Sequence, residues 1–118
     1  MIGLSDLPDG NTQQLDVVGS AALKDSRKVY VLADQSISNA GLLNEAAHCA
    51  LNLIWEASAA PYLGIWIDEG IYTTEATVAL EPASGYYDSL ERAIAQKRVS
   101  IIPAGGSASW WLEIVLNA

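Results

Sequence analysis

A few side chains in this sequence have the type and spacing to do chemistry. Glu81 ends an alternating run over residues 75–81, directly before Pro82. Ala76, Val78 and Leu80 take one face of that run, and Glu75, Thr77, Ala79 and Glu81 take the other. The small neighbours Thr77 and Ala79 leave room beside the Glu81 carboxylate for a molecule the size of a sugar. The competing reading is a solvated glutamate at a strand end, since charged residues are mostly exposed. A second run, Tyr62 to Glu69, sets Tyr62, Gly64, Trp66 and Asp68 on one face. A tryptophan ring beside a carboxylate is a sugar platform: ring C–H groups stack and hydroxyls bond to the acid. The competing reading puts Trp66 in the core, because Leu63, Ile65 and Ile67 make the opposite face apolar and the strand then reads as buried on both sides.

The single histidine, His48, shares a strand face with Asn52. There it either points into a cleft or makes a structural hydrogen bond. Trp110 and Trp111 point to opposite faces of the last strand. Tyr86 and Tyr87 flank a helix start, where they pack or line a cleft rim.

Other chemistries find little support. The one cysteine, Cys49, allows neither an intrachain disulfide nor a cysteine zinc cluster. Gly105-Gly106 follows a proline and reads as a turn, not as a phosphate loop. No stretch has the alternating acidic spacing of a calcium loop. No metal and no cofactor is expected.

Composition bounds the rest. The chain has 118 residues, 51% of them hydrophobic and 17% charged, with a formal net charge of −8. That apolar content excludes an intrinsically disordered chain. Six cations against fourteen acids argue against nucleic acid and anionic membrane as partners. The N-terminus lacks a cationic patch followed by an apolar run, and no window approaches the length of a membrane span. A soluble, cytoplasmic protein is the expectation.

The elements that must carry these side chains are mostly strands. Residues 1–12 read as an irregular arm, and 14–19 as a short strand. Residues 28–33 are β-rich, 34–45 suit a loop, and 46–55 alternate with Cys49, Leu51, Leu53 and Trp55 on one face, a short helix being the alternative. Pro82 is expected to stop the 75–81 strand. One helix is expected near residues 88–96, with Asp88 as N-cap and Glu91 completing a capping box, and with Tyr87, Leu90 and Ile94 at helical spacing. Residues 99–102 read as a strand, 103–107 as a turn and 109–116 as a closing strand. The expected fold is all-β: one antiparallel β-sandwich domain over 1–118, with that single helix.

The stretch Leu53-Ile-Trp-Glu-Ala-Ser-Ala-Ala-Pro-Tyr-Leu-Gly-Ile-Trp-Ile67, followed by Val78-Ala-Leu-Glu-Pro-Ala-Ser-Gly85, a short helix, a strand, a proline-glycine turn and a closing strand, resembles the galactose-mutarotase-like (aldose 1-epimerase) superfamily. The resemblance runs from about Lys28 to the C-terminus and covers only the C-terminal part of that family's β-supersandwich. It implies an isomerase that interconverts sugar anomers by acid–base ring opening, with a monosaccharide as ligand. It implies that the Glu of the Leu80-Glu81 pair is the base. The family's histidine acid lies in a part without counterpart here, no family role passes to His48, and the enzyme reading therefore calls for a second copy or another chain to complete the site and supply the acid. Tyr62, Trp66, Asp68 and His48 are the candidate sugar-binding residues. Two other readings stand beside the enzyme: a carbohydrate-binding module without catalysis, and a structural homo-oligomer that covers the open edges and apolar faces of a shortened sandwich with a second copy.

Overall fold

A computed structural model describes residues 17–86 and 88–117. The expected arm at 1–12, part of the strand expected at 14–19, and Tyr87 lie outside the described residues. The chain forms a 3-10 turn (Ala21–Leu23), strands β1 (Asp25–Tyr30), β2 (Asn39–Asn44), β3 (Cys49–Trp55), β4 (Tyr62–Glu69) and β5 (Ala76–Ala83), helix α1 (Leu90–Ala95) and strand β6 (Leu112–Asn117). The strands make two three-stranded sheets, in the orders β1-β4-β5 and β2-β3-β6. The fold is all-β, mostly antiparallel, with one short helix, as expected from the sequence. Among the described residues no helix is long and apolar enough to cross a membrane.

Contacts divide the chain into two units. One takes residues up to Lys28 together with 65–79, and the other takes 29–64 together with residues from Leu80 onward. In the first unit the buried residues are Ile65 and Ile67, followed by Asp68, Glu69 and Gly70. The second unit buries Val31, Ile37, Leu53, Trp55, Ala60, Leu63 and Ala93.

β4 spans the residues that its alternation predicts. It is the middle strand of its sheet, and Gly64 and Asp68 are buried on one face while Leu63, Ile65 and Ile67 are buried on the other. A central strand covered on both sides has this composition. Trp66 is half-buried, between the two readings of it.

Several boundaries differ from expectation, each for a physical reason. β1 begins at Asp25 and ends at Tyr30, earlier than residues 28–33 suggested. Residues 17–19 are not a strand. Part of the expected 34–45 loop is a strand, β2, because its backbone pairs antiparallel with β3 from Asn39↔Ile54 to Asn44↔Cys49. Its small and polar side chains hide it from a periodicity argument. Pro82 does not stop β5 but lies within it. β5 is an outer strand, where a missing N–H costs no ladder bond.

The helix cap is Ser89, not Asp88: the Ser89 hydroxyl accepts from the Arg92 N–H at 3.3 Å. The helix ends with Lys97 in the left-handed region at φ 57°, the Arg98 N–H donating to the Ala93 carbonyl and the Lys97 N–H to that of Ile94. This pair of bonds satisfies carbonyls that the helix leaves open. α1 buries Ala93, while Leu90 and Ile94 are exposed. Residues 99–102 form no strand, and Ile101 and Ile102 are exposed. The turn at 103–107 is present, closed by a bond from the Gly106 N–H to the Pro103 carbonyl at 2.9 Å. The closing strand starts at Leu112, so Trp110 and Trp111 precede it.

Candidate functional site

The second unit gathers aromatic and charged side chains above a gap in β4. Gly64 supplies the gap. A Cβ there would lie 3.1 Å from Cε1 of Tyr30 and 3.4 Å from Oε2 of Glu81. Tyr30 ends β1 and Glu81 sits on β5, so the phenol ring and the carboxylate reach the central strand from its two neighbours. Any side chain at position 64 would crowd both. A glycine inside a strand marks this sort of close approach.

Two further tyrosines extend the surface. The Tyr62 ring lies 5.3 Å from that of Tyr86, tilted by 46°. Tyr86 meets Tyr30 edge-on, with centroids 5.9 Å apart and planes at 78°. Both separations are in the range where aromatic pairs attract. The Tyr30 hydroxyl donates to Oδ1 of Asp88 at 2.7 Å. This bond takes up the carboxylate that the sequence suggested as helix cap. The Arg98 guanidinium lies 5.2 Å from the Tyr86 ring centre, a cation–π distance. Arg98 is held by the helix end, and its carbonyl accepts from the Tyr86 N–H at 2.9 Å. Tyr30, Tyr62, Glu81, Tyr86 and Arg98 are half-buried, and Asp88 is exposed. Half-buried rings with two carboxylates and a guanidinium beside them combine apolar contact with hydrogen-bond acceptors and a donor at one place.

The other expected site residues stand in different settings. His48 is not on a strand face with Asn52. It is an exposed turn residue between β2 and β3, in the left-handed region at φ 51°. Its N–H donates to the Glu45 carbonyl at 3.2 Å, while Asn44 Oδ1 accepts from the Ala47 N–H at 3.0 Å. Histidine is among the residues that tolerate this backbone conformation.

Trp66 and Asp68 belong to the first unit. The Trp66 indole N–H donates to the Ser26 hydroxyl at 3.1 Å, and its ring lies 6.0 Å from that of the exposed Tyr72. Asp68 is fully buried, and its carboxylate is committed to the chain that follows it. It accepts from the backbone N–H groups of Ile71, Tyr72 and Thr73 and from the Thr73 hydroxyl, at 2.9 to 3.3 Å. Burial pushes this carboxyl up, but the bonds from Thr73, Tyr72 and Ile71 outweigh it and hold Asp68 below its ordinary value. Asp68 fixes a loop, and its lone pairs are taken by that loop.

The first unit also holds an ion-pair network that the sequence gave no reason to single out. Arg27 donates to both oxygens of Glu69, at 2.7 and 3.2 Å, and to Asp25 at 3.0 Å. The Gly19 N–H adds a bond to Glu69 at 2.6 Å, and the Lys24 ammonium donates to the Gly70 carbonyl at 2.9 Å. Gly70 has φ 94°, and a Cβ there would run into the Ala21 carbonyl. These contacts fasten residues 19–27 to the end of β4. The Arg27 hydrogen bonds hold the Glu69 carboxyl below its ordinary range, and the same bonds raise Arg27. The network is structural.

Tyr62 and Glu81 are thus the expected residues that the tyrosine face includes. Sequence reasoning named Tyr86 for the rim but missed Tyr30, Asp88 and Arg98 as members. The available signal was Gly64, the one small residue in a strand of bulky ones. Compared with protein-family models, with curated proteins and with solved structures, the chain matches none.

Proposed function

We infer that the chain is a carbohydrate-binding protein whose site is the tyrosine face above Gly64. The observation that carries this reading is the convergence of Tyr30 and Glu81 over Gly64, with Tyr62 and Tyr86 alongside. A monosaccharide ring stacks on tyrosine and gives its hydroxyls to Glu81 and Asp88. Proteins bind such ligands through a few placed polar groups on a mostly aromatic surface.

A second reading is supported by the two flanks of Gly64. Anomer interconversion needs a base for the anomeric hydroxyl and an acid for the ring oxygen, set on opposite sides of the sugar. Glu81 comes from β5 and Tyr30 from β1, on either side of the central strand. In this reading Glu81 takes the proton from the anomeric hydroxyl, and the Tyr30 phenol turns its proton from Asp88 to the ring oxygen and delivers it there. The sugar then opens to its aldehyde, rotates and recloses, and the two protons return.

Ligand-detected NMR against the anomers of glucose and galactose separates the readings. Saturation transfer to the sugar supports binding. Faster α-to-β magnetisation exchange than in buffer, lost in Glu81→Gln while the protein stays folded, supports the epimerase. Removing a general base lowers such a rate by about 10²- to 10⁴-fold. Absence of both effects with the folded protein removes carbohydrate as the ligand class.

A further inference from the structure

We propose that β6 is a pairing edge for a second copy of this chain, joined antiparallel about a two-fold axis at Ile114. Among the described residues β6 is an outer strand with β3 as its sheet neighbour. The bond from the Glu56 N–H to the Trp111 carbonyl, 3.2 Å, sets the alternation along the pair. Backbone groups of 111, 113, 115 and 117 turn toward β3, and those of Leu112, Ile114 and Leu116 turn toward the open edge. An edge of this kind is a template for another strand unless lysine, proline or a bulge guards it. β6 reads Leu-Glu-Ile-Val-Leu-Asn, and its one charge is Glu113.

The side chains give an independent reason. The register sets Leu112 beside Trp55, Ile114 beside Leu53 and Leu116 beside Leu51, all on one sheet face. On β3 that face is covered, with Trp55 1% and Leu53 8% exposed. On β6 it is not: Leu112, Ile114 and Leu116 are 38%, 58% and 73% exposed. Trp110 and Trp111, just before the strand, are 46% and 52% exposed. Pairing sets Leu112, Ile114 and Leu116 beside their counterparts on the second copy and takes part of this apolar surface out of water.

A second copy is the occupant that this strand fits. With Ile114 opposite itself, Leu112 lies opposite Leu116 of the second copy and Leu116 opposite its Leu112. Glu113 then faces Val115. Moving the axis to Glu113 would set two like charges directly opposite, which is unfavourable, while the axis at Ile114 keeps the whole of 112–116 paired. A two-fold contact that uses the same strand twice is also closed, and it leaves no β6 edge for a third copy. The pairing does not rest on the carbohydrate reading. Because each chain carries a net charge of −8, added salt should tighten the dimer.

Sedimentation equilibrium of the full chain tests this directly. The expected result is a mass of twice 12.5 kDa at tens of micromolar, tighter at higher salt. Ile114→Lys places two like charges at the axis and should weaken the dimer by about a hundredfold or more, with an unchanged far-ultraviolet spectrum. Should that variant not fold, the wild type decides through hydrogen exchange: amides of Leu112, Ile114 and Leu116 slow as protein concentration rises. In a Cys49→Ser background, Ile114→Cys should form a disulfide dimer on oxidation far faster than Glu113→Cys. A wild type that stays monomeric with fast amides at these positions overturns the proposal. So does a dimer that Ile114→Lys leaves intact.

Discussion

Trp55→Ala should destabilise the folded chain by about 4 kcal/mol, the range for truncating a large buried aromatic side chain. Trp55 ends the central strand of the β2-β3-β6 sheet and is 1% exposed. Its indole N–H donates to the Ala60 carbonyl at 2.8 Å, tying the 56–60 turn to the strand it follows. Ala60 is itself fully buried, so alanine at 55 opens a cavity and leaves that carbonyl without its partner. A domain of this size has only about 5–15 kcal/mol in hand, so the loss is a large share of the total. Urea unfolding followed by circular dichroism measures it as a lower midpoint at unchanged slope. Trp55→Phe separates the two contributions: it keeps most of the ring, loses the N–H, and should cost about 1–2 kcal/mol. A loss below about 1 kcal/mol for the alanine variant would mean that Trp55 does not anchor the core.

The second large effect is expected at Arg27. Its side chain is 15% exposed and that of Glu69 3%. Removing one partner of such a pair leaves an uncompensated buried charge, which costs about 3 kcal/mol when the pair is fully enclosed. Arg27→Ala should approach that figure from below at neutral pH, because the Arg27 side chain is not fully enclosed. The sign with pH follows from the carboxylates. Glu69 and Asp68 both sit below their ordinary values in the folded chain. Their contribution is therefore complete above the unfolded values, near pH 4, and is lost as the pH falls through the lower folded values. In acid, Glu69 becomes neutral and no longer needs its cation, so wild type and Arg27→Ala should converge. The paired replacement Arg27→Met with Glu69→Leu should recover much of the loss, since an apolar pair carries no desolvation cost. Thermal melts from pH 7 down to pH 3 would check all three statements. A deficit that grows in acid would contradict the pairing.

The strands that could be read in advance were those whose burial follows their alternation. Tyr62 to Glu69 alternates between two apolar or small faces, and as a central strand it is covered on both. In 46–55 the face of Leu53 and Trp55 is buried, which favours the strand over the helix. β2 has no such pattern: Asn39-Ala-Gly-Leu-Leu-Asn is a strand because β3 pairs with it. Ile101 and Ile102 have strand propensity but form no strand, and propensity without a partner makes no sheet. The helix start moved by one residue because Tyr30, fifty-eight positions away, takes the Asp88 carboxylate.

The same logic applies to the site. Glu81 and Tyr62 were visible because each sits in an alternating run. Tyr86 was legible as a rim residue beside the helix start, while Tyr30, Asp88 and Arg98 join only through strand order and the helix end, which spacing along the chain does not encode. Asp68 looked like a ligand-binding acid because its face also carries Trp66. Its actual use was foreshadowed by the glycine at 70 and the threonine at 73, a turn that needs an acceptor.

The most direct measurement is a titration of isotope-labelled protein with galactose and glucose, watching the Gly64 amide and the ring signals of Tyr30, Tyr62 and Tyr86. A sugar seated on the tyrosine face shifts these signals together and saturably, with a dissociation constant of about 1 mM for a small open site, a binding free energy near −4 kcal/mol. Glu81→Gln should weaken that binding, and Gly64→Leu should abolish it by forcing Tyr30 and Glu81 out of place. Signals at Gly64 and the three tyrosines that stay fixed while the sugars are raised well beyond that concentration, or shifts confined to Trp66 and Tyr72, would contradict a carbohydrate site above Gly64.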